Sequence, residues 1–331
     1  MGADIAEHEA QSAVQQPLDR WRRGGTWGWF GPPALVLLTI VVFLPAIHFG
    51  FTNWDDPANY VNNPSFRGLS ARHFGWFFTT YHMGHYQPLN WVTYALDYRV
   101  SGLDPRRFHL TQILLHALAV LCVYTLIRDL LALFTRSASP GAICASAALA
   151  AALFAVHPLR VESVVWLSAR TDLLATLFGC CSVMAYLRYV VSSRTIWWWG
   201  ALLSFVLALL SKEMAVTVPV VCLILKWRLE MRTRVEKDSR PFWRSTIREL
   251  LPFLVFALAA GINAIFAAGD SLGRPGSHAE RAAQTTYSLI FYLYRTLVPV
   301  HLSPLYEFPG TSDGAAPLLS GPRWCWLQSY W

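Results

Sequence analysis

The chain has 331 residues, of which 54% are hydrophobic and only 14% charged, and it carries a formal net charge of +7. A soluble domain would be about one quarter charged, so the composition excludes an ordinary soluble enzyme. The apolar residues come in runs of roughly 17–25, the length a helix needs to cross about 30 Å of hydrocarbon, and they lack the alternation of a barrel strand.

In chain order, residues 1–32 are polar and mixed in charge, with no apolar core of a cleavable signal, and are expected to form a cytoplasmic tail. Spans are expected near residues 33–50, 108–134, 141–156, 172–191, 196–210, 216–227, 250–268 and 285–301. The fold class is therefore all-α, a polytopic transmembrane helix bundle of about eight spans, with a long outer first loop at 51–107 containing interfacial helices. Basic residues set the orientation. Arg20, Arg22 and Arg23 precede the first span, Arg128, Arg136, Arg188 and Arg194 lie on short loops, and the loop 228–248 is the densest in Arg and Lys. These place the N-terminus and the 228–248 loop in the cytoplasm and the 51–107 loop in the periplasm of a bacterial inner membrane. The positive charge is thus a topology signal and implies no nucleic acid.

The six cysteines fall inside spans or in the tail and read as small core residues; Trp197–Trp198–Trp199 reads as an interfacial anchor.

The first loop is too long for a connector. It opens FTNWDDPANYVNN, with Asp55 and Asp56 a few residues beyond the first span. Two adjacent, partly desolvated carboxylates raise each other's proton affinity, which suits a general base taking a proton from a hydroxyl. An Asp-Asp-Pro turn with a capping role accounts for the same residues. The segment SFRGLSARHFGWFFTTYH follows, expected as a helix in the headgroup plane. His82 and His85 have metal-ligand spacing but no second ligand pair nearby, so a divalent metal is not supported and no cofactor is assigned. Two more spots are polar against their surroundings. One is AVHPLRVESVVWLSARTDLL, with His157, Arg160, Glu162, Arg170 and Asp172; the other is LLSKEMAVTVP, with Lys212 and Glu213. Each ionisable group there costs about 2.5–3.5 kcal/mol at membrane depth. The two alternatives are snorkelling to the interface and convergence on one outer pocket. Such a pocket suits glycosyl transfer from a lipid-linked donor, its basic groups holding a phosphate and its carboxylate activating a hydroxyl.

The ordered motifs WDDPANYVNN, YQPLNWVTYALDYRVSGLDPRRFHLTQILLHA, ALFAVHPLRVESVVWLSARTDLLATLF, LSKEMAVTVP and PVHLSPLYEFP resemble the protein O-mannosyltransferase-like branch of the GT-C glycosyltransferases. The likeness is greatest to the transmembrane-and-tetratricopeptide-repeat family and its bacterial relatives, over residues 33–310. The resemblance implies inverting transfer of a mannose-like hexose from a polyprenyl-phosphate-linked sugar to a hydroxyl on protein or glycan at the periplasmic or lumenal face. It implies catalytic roles for Asp55, as base, and Asp56. Arg170 and Lys212 are implied to bind the donor phosphate, and His157, Arg160, Glu162 and Glu213 to line the pocket. The chain departs from the family pattern in having fewer spans and no repeat of about 34 residues. Residues 311–331 are expected to be a short tail, the mark of a truncated relative. Two readings from other classes stand beside the enzyme: a non-catalytic lipid-phosphate-binding or assembly protein, and a transporter. Polar residues gathered at one face argue against the transporter, whose site lies at the midplane.

Overall fold

A computed structural model describes residues 25–135, 137–233, 242–269, 278–300 and 302–303, and no strand occurs among them. The chain divides into two units, Met1–Ala267 and Ala268–Trp331.

In the first unit, α1 (Gly25–Phe43) runs into a 3₁₀ turn, Leu44–His48. The first loop then folds into a π turn, Pro57–Val61, and two helices, α2 (Ala71–Thr79) and α3 (Pro88–Ser101). The bundle continues with α4 (Pro105–Phe134), α5 (Pro140–Val156), the short α6 (Arg160–Val165) and α7 (Arg170–Ser192). It closes with α8 (Thr195–Leu209), a 3₁₀ turn Glu213–Thr217, α9 (Val218–Thr233) and α10 (Phe242–Ala268). Every span expected from sequence coincides with a helix. Four stretches are long and apolar enough to cross a bilayer: Phe30–His48, Pro105–Phe134, Leu167–Ser192 and Ser245–Ala268. Pro140–Val156 and Thr195–Leu209 are apolar but shorter. The protein is an integral membrane protein with an all-α helix bundle.

Local chemistry sets the helix ends. Asp104 caps α4 by accepting from the Arg106 amide at 3.0 Å, with Pro105 in the first turn; Ser139 and Pro140 do the same for α5. Gly102, at φ 62°, stops α3 and turns the chain into α4.

Packing follows the small residues. Ala147, Ala151 and Ala155 are fully buried and spaced by four on α5, so α5 lies close to α1 and α4 through Leu35, Val120 and Tyr124. In the α7–α8 hairpin the Ser182 hydroxyl donates to the Ala201 carbonyl at 2.9 Å. At the end of the bundle opposite the first loop, Lys226 pairs with Glu249 at 2.6 Å. Trp198, expected as an outward anchor, instead donates its indole N–H to the Glu249 carbonyl, while Trp199 is exposed. Cys144 and Cys222 are buried and Cys122, Cys180 and Cys181 half-buried; Cys325 lies outside the described residues.

The first loop is not a sheet of interfacial helices alone. It is a second core of aromatic rings, where Tyr60, Phe66, Phe77, Trp91, Tyr94 and Phe108 are buried together with Leu167. Tyr60 meets Tyr94 edge-on at 4.7 Å and Phe108 at 5.5 Å. α2 contributes Phe77 to this core, with Trp76 packed against it, and leaves Phe74 and Phe78 exposed, as a helix in the headgroup plane would.

Arg170 joins the two cores. It is fully buried, pairs with Asp97 at 2.7 Å, donates to the Phe108 carbonyl at 3.1 Å and lies over the Tyr94 ring at 4.4 Å. Asp97 also accepts from the Thr111 hydroxyl at 2.6 Å and lies 3.5 Å from Arg107. One carboxylate therefore ties α3, α4 and α7.

The second unit holds α11 (His278–Leu297), in which Tyr287 and Phe291 stack at 5.9 Å. It covers most of the eighth expected span; residue 301 lies outside the described residues.

Removing one member of a buried pair strands the other charge, at a cost of roughly 3–5 kcal/mol. Asp97→Ala should therefore lower the unfolding temperature in detergent sharply, and Asp97→Leu combined with Arg170→Met should recover most of the loss. Equal unfolding temperatures for the single and double variants would show that the pair does not hold the loop.

Candidate functional site

All the polar residues singled out in the sequence lie at the first-loop end of the first unit, but they occupy three different environments. The acidic pair comes first. Asp56 begins the π turn and is fully buried. One carboxylate oxygen accepts from both the amide and the hydroxyl of Thr52 at 2.8 Å. The other accepts from the Ser168 hydroxyl at 2.7 Å. Asp55, one residue earlier, points elsewhere: it is half-buried, and no group among the described residues donates to its carboxylate. Burial, and then the charge of Asp56, push its pKa above the usual carboxylate range, while His85 pulls the other way. Of the two, Asp55 is the one able to accept a proton from an incoming group.

His85 is presented by an unusual turn. Met83 and Gly84 have consecutive positive φ values of 51° and 78°, a conformation that costs a non-glycine residue energy and recurs where side chains must be aimed. The turn brings the His85 ring to 3.7 Å from Glu213, and the imidazole beside it holds the Glu213 carboxyl below its usual range. His82 turns the other way, between the rings of Trp76 and Trp91 at 5.9 and 5.2 Å. The two histidines at metal-ligand spacing therefore serve different partners. Among the described residues no group of three metal-ligating side chains occurs.

His85 and Glu213 form the polar mouth of a cavity of about 340 Å3. Its walls are apolar, from Leu209 and Leu210 at the end of α8 and from Phe256, Ala260 and Ala264 on α10. The Tyr81 hydroxyl reaches across to Asn263 on α10 at 2.8 Å.

The third environment is a mixed-charge cluster. Lys212 pairs with Asp172 at 2.5 Å, and Asp172 also accepts from the Ser163 hydroxyl at 3.2 Å. Glu162 and Arg160 lie within electrostatic reach of Asp172. Burial, followed by the charge of Asp172, raises the proton affinity of Glu162. Lys212 and Arg160 are the cations of this cluster, and a phosphate is the kind of anion that such groups can hold. Arg160 also covers the Phe154 ring at 5.2 Å.

Two sequence assignments change place. Arg170, read as a phosphate ligand, is sealed inside the protein with its guanidinium committed to Asp97, Phe108 and Thr93, so it presents no face to a ligand. His157 follows α5 and its ring accepts from the Leu159 amide at 3.3 Å, which makes it a turn residue between α5 and α6. Asp55, Glu213, Lys212 and Glu162 are linked through neighbours, His85 lying between the first two and Asp172 between the last two. Sequence reasoning missed Thr52, Ser168 and Asp97, whose roles depend on partners up to 112 residues away.

The chain was compared with known proteins. It is 31% identical to protein O-mannosyl-transferase Tmtc1 of Drosophila melanogaster over 143 residues, 42% of this chain and 15% of that protein. It is 30% identical to human protein O-mannosyl-transferase TMTC3 over 142 residues, 42% of this chain and 14% of that one. A longer match, 27% identical over 286 residues, covers 71% of this chain and 30% of Drosophila melanogaster Tmtc3. The chain thus spans less than a third of the length of these relatives. No family model and no solved structure matches it. Over these stretches it is similar to proteins named protein O-mannosyl-transferases.

A raised carboxylate favours the fold while protonated. That contribution is complete below the unfolded pKa near 3.8 and is lost as pH rises through the higher folded value. Asp55→Asn should therefore unfold at the same temperature as wild type in acid but at a higher temperature near neutral pH. A pH-independent difference between the two would contradict the burial of Asp55.

Proposed function

We propose that this chain is the membrane part of a glycosyltransferase that moves a mannose-like hexose from a polyprenyl-phosphate-linked donor to a hydroxyl of a protein acceptor. Kinship with the protein O-mannosyl-transferases supports the class. The observation that carries the chemistry is the unequal acidic pair: a sealed Asp56, and beside it an Asp55 with elevated proton affinity and no donor among the described residues.

In this mechanism the donor's lipid chain lies along the apolar cavity between α8 and α10, with its phosphate beyond the mouth near Lys212 and Arg160. The acceptor hydroxyl gives its proton to the Asp55 carboxylate as its oxygen bonds to the anomeric carbon. The carbon–oxygen bond to phosphate breaks with its electron pair, and polyprenyl phosphate leaves. A single displacement of this kind inverts the anomeric centre. Lys212 and Arg160 offset the charge developing on the phosphate, and the pairing of Lys212 with Asp172 keeps its ammonium at the site. The same reading puts residues 1–32 and the 228–248 loop in the cytoplasm and the acidic pair at the periplasmic or lumenal face, as the distribution of basic residues implies.

The test is transfer by the purified chain from a panel of polyprenyl-phosphate sugars to Ser- and Thr-containing peptides. Asp55→Asn should cut kcat by about 10²–10⁴, the usual contribution of a general base. Lys212→Ala should mainly raise the donor KM. Donor binding that weakens in Lys212→Ala, with no transfer from any donor, would replace the enzyme with a non-catalytic lipid-phosphate-binding relative. Full activity in Asp55→Asn would remove Asp55 from the mechanism.

A further inference from the structure

We propose that Ser168 is a positioning residue that divides the work of the acidic pair, holding the Asp56 carboxylate in its buried seat and leaving Asp55 as the carboxylate open to an incoming group. The inference rests on the glycosyl-transfer reading for the use made of that open carboxylate, but not for the division itself.

A serine hydroxyl has one proton and accepts through its lone pairs. Here the Asn59 side-chain amide donates to the Ser168 oxygen at 2.9 Å, and the Ser168 oxygen lies 2.7 Å from Asp56. With Asn59 holding a lone pair, the only proton of Ser168 is committed to Asp56. Each bond in such a chain strengthens the next in a low-dielectric interior. Together with the two donors of Thr52, Asp56 then receives three hydrogen bonds, which fix both of its oxygens.

The position of Ser168 is set from outside the pair. It sits in the 3₁₀ turn Leu167–Ala169, between α6 and α7. The Tyr94 hydroxyl donates to the Leu167 carbonyl at 2.9 Å. The fully buried Gln112 amide on α4 donates to the carbonyls of Trp166 at 3.0 Å and Val164 at 2.9 Å. Arg170, locked by Asp97, begins the next helix. The turn is pinned on both sides of Ser168 by α3 and α4, so the hydroxyl is held by the bundle while Thr52 and Asn59 come from the first loop. Asp56 is bound where the two meet.

Other charged and titratable groups face the pair. Asp55 and His85 belong to the loop, Tyr60 to the π turn, Tyr94 to α3 and His109 to α4. None of these replaces the Ser168 hydroxyl as a donor to its Asp56 oxygen. In Ser168→Ala that oxygen loses its partner, and the Asp56 carboxylate is no longer held in its seat beside Asp55. Asp55, freed of a fixed negative neighbour, then ionises at lower pH.

The experiment uses the whole chain in detergent, with dicyclohexylcarbodiimide as the probe, since this apolar reagent modifies protonated carboxyls. Labelling of Asp55 is read by peptide mass across pH. In wild type it should fall away above the usual carboxylate range; in Ser168→Ala the fall should move to lower pH. Ser168→Thr, which keeps the hydroxyl, should match wild type, and Asn59→Ala should shift the fall in the same direction by less. In the transfer assay Ser168→Ala should lower kcat and leave the donor KM unchanged. An Asp55 profile unmoved in Ser168→Ala, or a Ser168→Thr profile that matches Ser168→Ala, overturns the proposal. Profiles that move as stated in a chain with no transfer support the division of the pair and overturn only the glycosyl-transfer reading.

Discussion

A guanidinium cannot be left without a counter-charge at the boundary between a helix bundle and its loop, and the burial of Arg170 against Asp97 governs how the rest of this end is built. The pair draws α3 against α4 and α7. It holds the Tyr94 ring under the guanidinium and thereby seats the aromatic core of the first loop. Paired charges in a low-dielectric setting make a poor source of net stability but a strict constraint on arrangement, because alternatives leave one charge alone. The loop that carries the acidic pair is accordingly part of the folded bundle and not a flap lying on it.

Most of the fold was legible in the sequence because hydrocarbon thickness imposes it. Runs such as those in α4 and α10 are readable from apolar length alone, and the caps Asp104 and Ser139 are readable from Asp-Pro and Ser-Pro. The site was readable in composition but not in geometry. Asp55 and Asp56 stood out as a doubled carboxylate, yet which of them is sealed is decided by Ser168, whose separation in sequence hides the contact. Arg170 was misplaced for the same reason. An arginine at a helix start beside apolar residues looks like an interfacial ligand until the carboxylate it pairs with, on a helix of the first loop, is seen. Trp198 was read as an anchor because a tryptophan triplet at a span end normally is one; its inward turn follows from a carbonyl on a helix 51 residues later.

The three polar environments divide chemical labour in a way that a single charged pocket would not. The pair Asp55 and Asp56 presents one sealed and one open carboxylate, the cavity offers apolar walls with a polar lip, and the Lys212 cluster sets mixed charges at one remove. Glu213 connects them, bonded to His85 on one side and adjacent in sequence to Lys212 on the other. The left-handed step at Met83 and Gly84 is where the backbone departs most from comfort, and it delivers His85 to that junction.

Asp55 and Asp56 are chemically the same residue, and only their phase along the chain distinguishes them. Asp56 already has helical backbone angles, φ −62° and ψ −36°, at the start of the π turn. Neighbouring side chains on such a backbone diverge by about 100°, so one faces inward and the other out. Gain of a single residue between Thr52 and Asp55 would bring the earlier aspartate to the fourth position after Thr52, into the seat, and carry the later one out of it, with the acidic pair itself unchanged. The loop therefore stores the difference between its two carboxylates as a reading frame in space: the length of the short stretch from Thr52, and not the letters of the motif, specifies which of them is sealed and which is left open.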